Sequence, residues 1–367
     1  MLVKDIISIM NRLAPNYLID SWDNSGLQIG SMEKEVKKVL ISLDLSIDTV
    51  KEAIKNNIDM IITHHPFFFS SIKTISLDDI KGKIISEIIK NDITVFSAHT
   101  NLDMCEGGIN DILSDKLKLS NTKPLSRFHT DKLYKISVFV PLTHSDVVRE
   151  ALGDNGAGFI GNYSHCTFNT KGVGTFLPSS GTNPFIGKQG VLEKVEEEKI
   201  ETIVDEHILS SVISAMIEAH PYEEVAYDVY PLNNEGESYG YGRIGELSEE
   251  VTLEQFSRTV KDTLECETIR VYGDMNNKIR KVALCGGSGS SFIKDCYRNK
   301  ADVYITGDIK YHDAQLALEL GLSVIDAGHY GTEKHVIDYL RKYIGDNITD
   351  DIEILVHKNS VAPFKTI

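Results

Sequence analysis

Five side chains, spread over three stretches of the chain, have the types and spacing to hold metal ions. They are His64 and His65 in IITHHP, Asp103 in AHTNLD, and His329 with Glu333 in AGHYGTE. Imidazole nitrogen together with carboxylate oxygen is a ligand set for zinc, manganese or iron. Consecutive side chains on extended backbone point to opposite sides, so adjacent histidines are expected to reach two different ions. Asp103 has two carboxylate oxygens and can bridge such a pair. His329 and Glu333 are four residues apart and share a face if a helix begins near His329. Two divalent ions ~3.5–4 Å apart can lower the pKa of a shared water, which makes metal-dependent hydrolysis the first chemistry to expect.

Other residues are candidates for supporting roles. His99 and His312 are read as groups behind the ligands or as proton-transfer groups, with an ordinary structural histidine as the alternative. Asp44 and Asp308 stand at strand ends, where helix capping is favoured over orienting a ligand. The loop GGSGS (286–290) could cradle a phosphate on its amides. It lacks the GK[ST] of a P-loop, so a tight strand-to-helix turn is the favoured reading. Trp22, the only tryptophan, is read as packing rather than cavity lining.

These residues need elements that bring them together. A helix over 3–13 is followed by apolar strands over 37–46, 57–65 and 93–100, with helices over 47–56 and 78–91 between them. The last third repeats the style, with strands over 278–285, 301–308, 322–328 and 352–357. Continuous apolar strands separated by helices indicate a parallel sheet covered on both faces. All five candidate ligands then fall at or just past the C-terminal ends of strands, where open α/β sheets bind ligands. The middle differs. Strands over 134–142, 163–170, 172–178 and 224–232, two helices, and the acidic run 193–206 (read as a solvated strand edge) give a β-α-β-β-α-β order. That order suggests a split-βαβ, ferredoxin-like sandwich inserted at 126–245 between the two parts, 1–125 and 246–367, of a discontinuous three-layer domain.

Composition narrows the classes. At 367 residues, two domains are the default. A net charge of −16 disfavours non-specific binding to nucleic acid. No stretch approaches the ~18 apolar residues of a membrane span. The five cysteines are odd in number, scattered and without a C-x-x-C pair, which fits a reducing cytoplasm and argues against a thiolate zinc site.

SWDNSGLQIG (21–30), IITHHP (61–66), AHTNLD (98–103), ALCGGSGSS (283–291), ADVYITGDIKYHD (301–313) and DAGHYGTE (326–333), in this order, resemble the Nif-three-like family, the GTP cyclohydrolase I type II homologues. The resemblance implies a dinuclear site on His64, His65, Asp103, His329 and Glu333. It also implies a PII- or CutA-like insertion containing AHPYEEVAYDVYPL (219–232), and a toroidal homohexamer with its metal sites facing the interior. Zinc is the foremost metal, with iron, manganese, nickel and cobalt as alternatives. A hydrolase acting on a small phosphate-containing substrate is the first expectation. An ion-storing, ion-delivering or regulatory protein without turnover is the second, and a scaffold with a structural metal the third.

Overall fold

The structure, a computed structural model, describes residues 1–357 and 364. It divides into two compact units, one of Met1–His129 with Tyr239–Ile367 and one of Thr130–Ser238. Of the segment expected to close the discontinuous domain, residues 358–363 and 365–367 lie outside the described residues.

The chain begins with α1 (Val3–Leu13), β1 (Gly26–Ile29), β2 (Lys38–Ser42), α2 (Ile47–Lys55), β3 (Met60–Thr63), α3 (Ile80–Lys90), β4 (Thr94–Ser97), α4 (Thr100–Met104) and α5 (Ile109–Lys116). The middle runs through β5 (Ser120–Pro141), α6 (Ser145–Asp154), β6 (Thr167–Phe176), β7 (Glu193–Asp205), α7 (Leu209–Ala219) and β8 (Tyr227–Thr252). The last part comprises α8 (Leu253–Thr263), β9 (Arg270–Tyr272), β10 (Lys278–Ser288), α9 (Ile293–Arg298), β11 (Val303–Gly307), α10 (Tyr311–Glu319), β12 (Ser323–Asp326), α11 (His329–Glu333), α12 (Val336–Asn347) and β13 (Glu353–Val356).

This is a mixed α/β fold with two sheets. In the first unit one sheet has the order β1-β4-β3-β2-β13, and the other runs β8-β10-β11-β12-β9. The central strands are parallel, as their continuous apolar sequences require. Three strands are not: β1 pairs antiparallel with β4, β9 with β12, and β8 with β10. The expectation of one purely parallel sheet is corrected accordingly. Strands of three or four residues are too short to show a period, so β1 and β9 read as loop in the sequence.

Alternation along the strands builds the layers. Met60 and Ile62 of β3 and Val303 and Ile305 of β11 belong to one core, together with Ile6 and Met10 of α1, Val260 of α8 and Leu340 of α12. Ile61 of β3 faces a second core with Val50 of α2 and Ile88 of α3. Tyr304 of β11 faces a third with Cys296 of α9 and Ala317 of α10. Two sheets therefore share one central helical core, and each carries a helical layer on its outer face. The expected three layers are extended to five, because both sheets bury both faces.

In the second unit the strand order is β6-β7-β5-β8, with α6 and α7 over a core of Ile136, Val138, Val148, Ile200 and Met216. Two readings of the middle segment change. The strands expected at 163–170 and 172–178 are one strand, β6. The acidic run is not an edge: β7 lies between β6 and β5 and buries Val195, Ile200 and Val204.

Candidate metal centre

The five expected ligands come together within the first unit, from both of its sheets. His64 and His65 follow β3, and Asp103 lies in α4 just past β4; these belong to the first sheet. His329 and Glu333 open and close α11, which follows β12 of the second sheet. The ligands thus stand where the C-terminal strand ends of two sheets meet, rather than along one sheet edge.

Glu333 is at the centre. It is 3% exposed, and its Oε1 lies 3.7 Å from His64 Nε2 and 3.2 Å from His329 Nε2. Its Oε2 lies 3.2 Å from His65 Nε2, without hydrogen-bond geometry. His65 Nε2 and His329 Nε2 are 3.3 Å apart, and Asp103 Oδ1 is 3.8 Å from His64 Nε2. The ligand atoms of His65, His329 and Glu333 all lie within 4.8 Å of one another, and His64 stands between Asp103 and Glu333 at 3.8 and 3.7 Å. Glu333 is the carboxylate that comes within 4 Å of all three histidines. Two atoms bound at about 2.1 Å to one tetrahedral zinc stand about 3.4 Å apart, so these separations suit a cation between them.

Buried polar atoms are normally paired, and an orphan costs about 1–3 kcal/mol. Here His64 Nε2, Asp103 Oδ1 and Glu333 Oε2 are all buried without a hydrogen-bond partner. His64 Nε2 and Asp103 Oδ1 stand 3.8 Å apart and Glu333 Oε2 lies 3.2 Å from His65 Nε2, so one imidazole nitrogen and two carboxylate oxygens of this cluster are left as donors that divalent ions would satisfy. The residues present fit a metal.

The other ring nitrogen of each histidine is held. His64 Nδ1 meets Ala98 O at 2.9 Å, His65 Nδ1 meets Asp44 Oδ1 at 2.9 Å, and His329 Nδ1 meets Asp308 Oδ2 at 2.7 Å. Each bond aims Nε2 at the centre, the usual outer support of a metal-binding histidine. The favoured capping role for Asp44 and Asp308 is therefore corrected: Ser46 caps α2, and the residue preceding α10 is Lys310. The backbone is fixed as well. Thr63 Oγ1 donates to His65 O at 2.9 Å and lies 2.7 Å from Ser97 Oγ.

Charges follow from burial and partners. Burial opposes the charge on Glu333, yet His329, His64 and His65 hold its pKa well below the usual carboxylate range. Burial pushes the Asp103 pKa up. Burial also opposes the charge on His65, but Asp44 and Glu333 outweigh it and raise its pKa to about 10. Glu333, against burial and with help from Asp308, raises His329 to about 9.

His99 joins the group, since its ligand atom lies within 4.8 Å of those of His64 and His65. Its Nδ1 meets Asp23 Oδ1 at 2.9 Å. Asp23 also accepts from Ser25 Oγ at 2.6 Å and Thr100 Oγ1 at 2.7 Å. Asp23 was unassigned in the sequence, although it lies in the SWDNSGLQIG stretch. His312 lies elsewhere, exposed at the start of α10 and packed on Tyr311.

The GGSGS loop is a close-packing device. Its amides are used internally: Gly286 N donates to Asn110 Oδ1, Gly287 N to Thr332 Oγ1 and Gly289 N to Thr306 Oγ1. They are not free to cradle a phosphate. Gly287 has φ +64°, and a Cβ there would stand 2.3 Å from Glu333 Oε1 and 3.3 Å from His329 Nε2. Gly287→Ala is expected to cost about 1–2 kcal/mol in backbone strain and to displace the central carboxylate, lowering metal retention. Thermal melting with and without metal checks this, and unchanged metal retention contradicts it.

Comparison with known proteins places the chain among relatives. A sequence model of the family Duf34/NIF3 (NGG1p interacting factor 3) matches residues 1–363. A protein of Halalkalibacterium halodurans named GTP cyclohydrolase 1 type 2 homolog is 46% identical over 99% of this chain and 98% of its own length. A Bacillus subtilis protein of the same name is 42% identical over 98% and 97%. The crystal structure of a Bacillus cereus protein related to NIF3 superimposes with a TM-score of 0.93 at 44% identity, covering 100% of this chain and 99% of the other.

Proposed function

Since the chain belongs to the Duf34/NIF3 family, we propose that it binds two divalent metal ions at His64, His65, Asp103, His329 and Glu333 and acts as a metal-dependent hydrolase. The observation that carries the reading is that His64, Asp103 and Glu333, whose side chains come together, each leave a buried ligand atom without a hydrogen-bond partner. One ion would be held by His64, Asp103 and Glu333, the other by His65, His329 and Glu333, with zinc as the foremost metal. Bound ions would supply Lewis-acid activation of water toward an electrophilic carbon or phosphorus. The chain's own residues do the rest. Asp44 and Asp308 hold the imidazole tautomers, Glu333 spans the two sets, and His99, fixed by Asp23, stands ready to accept or deliver a proton at Nε2.

The relatives' name brings GTP to this chain as the first substrate to test. A cytoplasmic toroidal homohexamer, with a PII- or CutA-like second unit, completes the proposal. The β-α-β-β-α-β order of that unit and the strand order β6-β7-β5-β8 support its ferredoxin-like part. Among the described residues no helix is long and apolar enough to cross a membrane. The test is zinc- or manganese-loaded protein assayed against GTP and other phosphate compounds. Turnover that vanishes in His64→Ala supports hydrolysis. Turnover that survives unchanged in that variant overturns hydrolysis at this site, and metal transfer to acceptor proteins without any turnover replaces it with the ion-handling reading.

Proton release offers a separate check. Against burial, Glu333, with Asp44 and Asp308, raises the pKa values of His65 and His329, to about 10 and about 9, and so favours protons on this histidine pair in the ion-free protein. Metal must displace those protons, so affinity rises as pH climbs toward 9–10 and falls in acid. Calorimetry at pH 7 in buffers of different ionisation enthalpy should read a net release of protons on metal binding. Buffer-independent heat contradicts this.

A further inference from the structure

Two large aromatic side chains stand exposed beside the candidate centre, Trp22 at 58% and Phe69 at 55%. Both set their rings edge-on against the same imidazole. Trp22 and His99 centroids are 5.7 Å apart at 83°, and those of Phe69 and His99 are 5.7 Å apart at 89°. The His99 ring in turn lies 5.1 Å from that of His64 and 5.6 Å from that of His65. Single exposed aromatics are common on folded proteins. Two that flank one histidine of a candidate metal centre make a more specific arrangement.

The loops that carry them are stitched together. Asn24 Nδ2 donates to Phe68 O at 2.8 Å, Phe68 N donates to Gln28 Oε1 at 3.2 Å, and Gln28 Nε2 donates to Asn24 O at 2.6 Å. The backbone next to Phe69 is thus tied to the segment that follows Trp22, which lowers the ordering cost of binding. Trp22 stands two residues before Asn24, and Phe69 also lines a cleft of about 330 Å³ with Asn24, Phe68, Ser70, Ser71 and Ile72. Its walls combine aromatic faces with hydroxyl and amide groups. Those walls suit a flat ring with hydrogen-bonding edges, and they offer no cationic side chain to a phosphate.

We infer that Trp22 and Phe69 form a stacking platform for a planar nitrogen heterocycle, so that the substrate is recognised by its ring rather than by its phosphates. The inference rests on the metal-site reading only for the chemistry done next to the ring. Stacking on an aromatic side chain contributes about 1–3 kcal/mol per ring, or roughly 5- to 150-fold in affinity. The excess of negative charge on the chain, −16 overall, also favours recognition through an uncharged ring.

Trp22 is the only tryptophan, so its fluorescence reports the platform directly. The metal-loaded protein is titrated with guanosine, GTP, adenosine, cytidine and nicotinamide, and separately with tripolyphosphate. Expected is saturable quenching by at least one ring compound, none by tripolyphosphate, and at least tenfold weaker quenching in Phe69→Ala with unchanged metal content. No quenching by any ring compound overturns the inference, as does equal affinity for tripolyphosphate and GTP. Emission that shifts on dilution without ligand also overturns it, because a second copy of the chain then covers Trp22. Metal retained without quenching sinks the platform alone; quenching in a protein that holds no metal sinks the metal reading alone.

Discussion

Glu333→Gln is expected to leave a folded protein that no longer retains its metal. The change is nearly isosteric; it removes the negative charge and replaces one acceptor oxygen by an NH2 donor. Yet Glu333 is the carboxylate that approaches His64, His65 and His329 together. Without it each set of ligand atoms loses its shared anion, and three imidazoles face a neutral amide. Loss of an outer partner typically costs 10- to 100-fold in metal affinity, so loss of this ligand should exceed about 100-fold. Asp308→Asn provides the scale: it keeps His329 but loosens its Nδ1 partner, and should fall within that 10- to 100-fold range. Chelator competition measures both, with circular dichroism to confirm the fold. Equal losses in the two variants would mean that Glu333 is not central.

Arg243→Met is expected to produce the largest loss of stability. Arg243 is 5% exposed, in β8. Its Nε and Nη2 donate to Asp111 Oδ1 and Oδ2 at 2.5 and 2.9 Å. Nη1 reaches Gly240 O at 3.0 Å and Gly242 O at 2.9 Å, and Nη2 reaches Cys105 O at 2.9 Å. The planar fork of guanidinium suits this many acceptors, and neither Met nor Lys can replace it. Removing one partner of a buried ion pair costs about 3–5 kcal/mol, because the other charge is left uncompensated. Cys105 follows closely on Asp103, so the variant should also loosen the metal centre. Denaturant unfolding checks the magnitude; a loss below about 1 kcal/mol contradicts it. The double variant Arg243→Met with Asp111→Asn should recover part of the loss.

The Arg243 network shows where reading from sequence stops. Nothing in YGRIGE (241–246) marks that arginine as buried, because the Asp111 carboxylate and the Cys105 carbonyl that hold it lie more than a hundred positions away. The parallel strands were legible because apolar runs such as MIIT and VYITG are buried on both faces. The ligands were legible because strand ends concentrate binding groups, and because the His329–Glu333 spacing is that of one helical turn. The meeting of two sheets was not legible, since strand partners are chosen by long-range packing. Asp44 and Asp308 illustrate a local ambiguity: an aspartate past a strand can cap a helix or hold a histidine, and only the position of the histidine decides. Likewise the acidic strand β7 alternates charged residues with Val195, Ile200 and Val204, and the charges hid its interior place.

Anomalous diffraction from crystals soaked in zinc, recorded at the zinc absorption edge, tests the central claim most directly. The account predicts two peaks per chain, one touching His64, Asp103 and Glu333 and the other touching His65, His329 and Glu333. An absence of peaks at these side chains, with zinc bound elsewhere or nowhere, contradicts it.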